Sequence, residues 1–145
     1  MIVDLPDLAA MEAFGTRIAH KVMPGDVVAL TGGLGAGKTT LARAILAALG
    51  HEGEVPSPTF TIIETYEGTR VPVVHADFYR LEDPGEAAEL GLDDYRADSV
   101  LLAEWPDHAG GFSDQRECLS IRIEIADQGR KAIVEAGEAW LSRLP

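Results

Sequence analysis

The chain has 145 residues, 24 acidic against 12 basic, for a formal net charge of −12. That length predicts one domain over residues 1–145, and a 46% hydrophobic content is enough for a proper core, which excludes a disordered chain. A field of that sign repels nucleic acid and anionic membranes. With Lys21, Lys38 and Lys131 as the only lysines and no basic cluster, direct tRNA or DNA binding is not expected.

No apolar run approaches membrane-spanning length, and the N-terminus lacks the pattern of a secretory signal. The single Cys118 excludes an internal disulfide and fits a reducing cytoplasm, the expected location. No motif surrounds Cys118, so it reads as a filler on a strand.

In chain order, Leu8, Met11, Gly15, Ile18 and Val22 fall on one stripe, which predicts an amphipathic helix over 7–23. Asp7 is its expected N-cap, and Pro24-Gly25 ends it. Residues 27–31 are apolar and read as a buried strand. Residues 32–39 then spell Gly-Gly-Leu-Gly-Ala-Gly-Lys-Thr, a complete match to the phosphate-binding loop G-x-x-x-x-G-K-[ST]. Leu41, Ile45 and Leu49 recur at helical spacing behind it, predicting a helix over 38–49.

Strand, glycine loop and helix together separate a nucleotide site from a chance match. Backbone N–H groups of Gly33, Gly35, Ala36, Gly37, Lys38, Thr39 and Thr40, with the positive helix end, make a cradle for phosphate. Lys38 is placed to reach the β- and γ-phosphates and the Thr39 hydroxyl to ligate Mg²⁺.

Residues 51–58 form a loop rich in Gly and Pro, and 59–66 and 71–77 read as strands around a turn at 67–69. Residues 82–98 are acidic and broken by Pro84, Gly85 and Gly91, so short helical turns are expected. Residues 99–104 are an apolar strand, and 106–114 a loop. Ile121, Ile123 and Ile125 alternate with polar residues as in a half-buried strand, and 131–135 pairs with it as a hairpin across the Asp127-Gln128-Gly129 turn. A short helix over 138–144 closes the chain. Strands alternating with helices predict an α/β fold of the P-loop NTPase type: a mainly parallel sheet, helices on both faces and a C-terminal antiparallel hairpin.

Two apolar runs end in an acid, at Asp77 and at Glu104. A carboxylate at a strand end beside the phosphate loop is how such folds hold Mg²⁺, which prefers oxygen ligands and keeps several waters. Either acid can instead orient the attacking water. His75, Asp77 and Tyr79 alternate and Arg80 follows, a patch that supports the metal, senses the γ-phosphate, or merely packs. Ser57-Pro58-Thr59-Phe60 stands where nucleotide switches offer a hydroxyl to metal or phosphate, although Ser and Pro also make ordinary turns. Trp105 reads as a core residue, the commoner role of tryptophan.

Gly-Gly-Leu-Gly-Ala-Gly-Lys-Thr-Thr (32–40), Ser-Pro-Thr-Phe (57–60), His-Ala-Asp-Phe-Tyr-Arg-Leu (75–81) and Glu-Trp-Pro (104–106) occur in an order that resembles the TsaE family. These are small bacterial ATPases of tRNA threonylcarbamoyladenosine biosynthesis. The resemblance implies ATP and Mg²⁺ as cofactors, and TsaD and TsaB as partners that transfer a threonylcarbamoyl group to N6 of adenosine 37. By matching motif it implies phosphate binding by Lys38, Mg²⁺ ligation by Thr39 and Glu104, and Asp77 as the strand-end acid, with Thr39, Asp77 and Glu104 around the metal. It puts Ser57 and Thr59 in the switch-like segment and brings the Gln128-Gly129-Arg130 turn toward the adenine. The family usually carries a larger aliphatic residue than Ala103 before the acid.

Two other classes compete. A stand-alone small-molecule kinase needs an acceptor site and commonly an arginine-rich lid, whereas the arginines here are scattered. A GTP switch reads guanine through Asn-Lys-x-Asp, and the chain contains no Asn.

Overall fold

The computed structural model describes residues 1–33, 35–56 and 63–145. Chain order is β1 (Ile2–Leu5), α1 (Leu8–Ala19), β2 (Val27–Thr31), α2 (Lys38–Ala48), β3 (Ile63–Tyr66), β4 (Val73–Asp77), α3 (Gly85–Glu89), α4 (Leu92–Arg96), β5 (Val100–Glu104), a 3-10 turn at Pro106–Ala109, β6 (Cys118–Ile125), β7 (Arg130–Ala136) and a 3-10 turn at Glu138–Trp140. The described strands form one sheet in the order β1-β7-β6-β2-β5-β4-β3. The four central strands β6, β2, β5 and β4 run parallel, and β3, β7 and β1 join antiparallel at the flanks.

Residue parity along the strands builds two cores. Val28 and Leu30 of β2, Val100 and Leu102 of β5 and Leu119, Ile121 and Ile123 of β6 face α1 and α2. Val27, Ala29, Leu101, Ala103 and Cys118 face the opposite side, where Leu81, Ala87, Leu92 and Phe112 cover them. Central strands buried on both faces explain the unbroken apolar runs at 27–30 and 100–103. Each fully buried Leu or Ile contributes about 1.5–3 kcal/mol, so the Leu41, Ile45 and Leu46 stripe of α2 is what fastens the helix to the sheet. Gly15 lets α1 and α2 meet: a Cβ there would lie 2.6 Å from the Ala44 Cβ.

Several boundaries differ from the sequence reading. Helix α1 stops at Ala19, short of residue 23. Met11, Gly15 and Ile18 of the predicted stripe are buried, joined by Phe14, while Leu8 is 60% exposed in the first turn. The Asp7 cap is as expected, its carboxylate accepting from the Ala10 N–H at 2.8 Å. Strand β1 has no counterpart in the prediction, because four residues before a proline carry too little pattern. Its partner β7 supplies the missing edge. The predicted helix over 138–144 is only a 3-10 turn, anchored by the buried Trp140, whose Nε1 donates to the Glu117 carbonyl at 2.8 Å. Of the strand predicted at 59–66, Ile63–Tyr66 is described and the rest lies outside the described residues.

Candidate functional site

The carboxyl ends of β2, β4 and β5 meet at the start of α2. Strand β2 runs into the loop at 32–37, and Gly37 caps α2 in the left-handed region at φ 115°, a conformation that costs a side-chain-bearing residue. The Lys38 side chain is buried and folds back on the loop, donating to the carbonyls of Gly32 at 2.8 Å and Gly33 at 3.0 Å. Burial pushes its ammonium below the ordinary lysine value, and the carboxylates of Glu104 and Asp77 pull it part of the way back.

The register of the parallel β4–β5 pair sets Asp77 opposite Glu104 and His75 opposite Leu102. Glu104, 2% exposed, is engaged on both oxygens: Oε1 accepts from the Thr39 hydroxyl at 2.9 Å, and Oε2 accepts from His75 Nε2 at 2.6 Å. Asp77 is buried, and its Oδ1 accepts from the Tyr79 N–H at 2.9 Å. That bond turns the chain outward after β4, so Tyr79 is 45% exposed and does not continue the His75–Asp77 face.

Trp105 packs on the edge of the second core, so its reading as a core residue holds in part, and it also faces the site. It is only partly buried and is the one non-glycine residue at positive φ among the described residues, at φ 54°, ψ 51°. This bend sets its ring 4.4 Å from Lys38 Nζ. Tyr79 lies 5.0 Å and His108 5.5 Å from the same ring, centroid to centroid. A residue directly after a strand-end acid belongs to the site as readily as to the core, and Trp105-Pro106 was the signal for it.

On the other side of the loop, Arg130 donates through Nε to the Ala36 carbonyl at 3.0 Å and through Nη2 to that of Gly35 at 3.3 Å. The β6–β7 turn is thereby tied to the phosphate loop. Beside it opens a cavity of about 260 Å³, bordered by Leu5, Leu8, Met11, Gly35, Thr40 and Arg130. The α1 contribution had no signal in the sequence beyond Leu8, whose exposure is explained by its place on this rim. Ser57 and Thr59, the switch-like residues, lie outside the described residues.

Among the described residues no cluster of three or more His, Cys, Asp or Glu side chains could hold a metal. The donors gathered are one hydroxyl and two carboxylates, an all-oxygen set that fits Mg²⁺, which is usually held by one or two carboxylates with phosphates and water supplying the rest.

A glycine loop between a central parallel strand and a helix, with a strand-end acid hydrogen-bonded to the loop Thr, defines the fold of the P-loop class. The family model described as "Threonylcarbamoyl adenosine biosynthesis protein TsaE" matches residues 5–133. The chain belongs to the TsaE family. It is 38% identical over 132 residues to the tRNA threonylcarbamoyladenosine biosynthesis protein TsaE of Haemophilus influenzae, covering 87% of this chain and 83% of that one. It is 40% identical over 140 residues to the protein of the same name from Streptomyces coelicolor, covering 90% and 93%. The crystal structure of Bacillus subtilis YdiB superposes with a TM-score of 0.76 at 32% identity, over 97% of this chain and 86% of that one.

Proposed function

We propose that this chain is an ATP-binding, Mg²⁺-dependent ATPase required for threonylcarbamoylation of adenosine 37 in tRNA, acting in the cytoplasm with TsaD and TsaB. The Thr39–Glu104 hydrogen bond carries the reading, because it joins the phosphate loop to the strand-end acid that nucleotide hydrolysis requires. The family names support the pathway.

The adenine enters the cavity beside Leu5, Leu8 and Met11, with Arg130 bracing the loop against it. The N–H groups of Gly33 and of Gly35 to Thr40 receive the phosphates. Lys38 exchanges the Gly32 and Gly33 carbonyls for phosphate oxygens, and Trp105 shields it from water. Thr39 and Glu104 would hold Mg²⁺, with Asp77 as a further carboxylate for it. When bound, such an ion would neutralise phosphate charge. Asp77, opposite Glu104 in register, orients the attacking water. Ser57 and Thr59 belong to the sequence segment proposed as a switch that offers a hydroxyl to metal or γ-phosphate. Turnover is slow alone, since the described residues offer little beyond positioning and charge, and contact with TsaD–TsaB completes the site. The charge of −12 suits docking on a basic protein surface, so affinity for the partners falls as salt rises.

The test is ATP hydrolysis by the protein alone and with purified TsaD–TsaB. Weak activity that rises with the partners and disappears in Lys38→Ala is the expected result. Turnover indifferent to the partners, with phosphate appearing on a small acceptor, would establish a kinase instead.

A further inference from the structure

We propose that His75 is a positioning residue for the metal-side acid, aiming the Glu104 carboxylate at Thr39. This inference rests on the nucleotide reading above and adds a residue to it. His75 is fully buried in β4, which pairs with β5 in the parallel β4–β5–β2 set, on the same face as Asp77. Its Nε2–H donates to Glu104 Oε2 at 2.6 Å, and its Nδ1 has no partner among the described residues. A buried bare acceptor costs less than a buried unpaired N–H, so the tautomer protonated on Nε2 is the one this pocket favours.

A glutamate side chain has three torsions, and one bond to Thr39 leaves its carboxylate free to swing. The nearby cation is Lys38, which feels the field of Glu104. Without a second donor, the acid gains by turning toward that ammonium, which withdraws it from Thr39 and occupies the phosphate-binding lysine. With Oε2 held by His75 and Oε1 by Thr39, the carboxylate plane is set, and Lys38 remains on the loop carbonyls. Outer partners that orient metal ligands commonly account for about 10–100-fold in metal affinity.

The test compares two substitutions of similar length and volume. His75→Gln places an N–H donor near the Nε2 position, whereas His75→Met places none. The probe is a fluorescent non-hydrolysable ATP analogue, titrated in Mg²⁺ and again in EDTA, with thermal melts on each variant. The readout is the ratio of the two dissociation constants, the gain from Mg²⁺. In His75→Met this ratio should fall about 10-fold or more, with the EDTA value weakening less than the Mg²⁺ value. His75→Gln should retain most of it, while both variants melt together. Equal ratios in wild type and His75→Met would overturn the positioning role. Equal loss in Met and Gln would overturn it too, since the imidazole shape rather than the donor would then matter. A wild-type protein with no Mg²⁺-linked gain would overturn the nucleotide reading itself, a result distinguishable from either.

Discussion

The chain end is held by an ion pair placed where it reports on stability separately from the site. Asp26 is 2% exposed and lies just before β2. Arg143 grips it with both guanidinium arms, Nη1 to Oδ2 at 2.7 Å and Nη2 to Oδ1 at 2.9 Å, and stacks 4.3 Å from the centroid of the Trp140 ring. Arg143→Ala strands a buried carboxylate that keeps only the Met23 N–H, at 2.7 Å, from this set. Removing one partner of a fully buried pair costs about 3–5 kcal/mol. The arginine side chain is 18% exposed, which lowers the expectation to about 2–3 kcal/mol. At about 3 °C per kcal/mol for a chain of this size, the melting temperature falls by about 6–9 °C. Urea denaturation and calorimetry read both quantities. The nucleotide loop begins beyond the far end of β2, about 17 Å away at strand rise, so analogue affinity at 25 °C should not change. Arg143→Lys, a point charge without the fork, should recover only part of the loss. A loss below about 0.5 kcal/mol, the ordinary surface value, would refute the reasoning.

Three further outcomes are expected. Asp77→Ala should lower ATP hydrolysis about 100-fold or more, on the order of a general acid–base contribution, while lowering analogue affinity far less; equal loss of both would make Asp77 structural. The Lys38 ammonium should titrate below the ordinary lysine value in NMR of its side chain, and lower again in Glu104→Gln, because the acid opposes the effect of burial. Since the folded pKa is depressed, the unfolded chain binds more protons in that window, and stability rises with pH through it until the free lysine value is passed; an unmoved or raised titration in Glu104→Gln would contradict the site electrostatics. Burial pushes the Cys118 thiol up, so iodoacetamide at pH 8 should label it slowly in native protein and quickly in urea. The sign there is opposite: its contribution is present below the free-thiol value and fades as pH rises through the folded one. Fast native labelling would refute the burial.

Local chemistry is legible in one dimension. The glycine loop at 32–39, the Asp7 cap, the central strands at 27–31 and 100–104 and the hairpin around Gly129 follow from backbone freedom, capping and periodicity, properties of residues near in sequence. Asp77 and Glu104 also stood out as acids ending apolar runs, and the register sets them side by side.

What tertiary structure alone decided is which distant groups touch. The β4–β5 register brings His75 to Glu104 across 29 positions, and α2 brings Thr39 to the same carboxylate across 65. At positive φ, Trp105 sits on the edge of the second core with its ring against Lys38. Strand β1 formed because β7 offered an edge, and the helix expected near the C-terminus yielded to the grip of Trp140 and Arg143 on the body of the protein. Periodicity records the face a residue prefers. The partner on that face is set by strand order and register, which arise only when the sheet assembles.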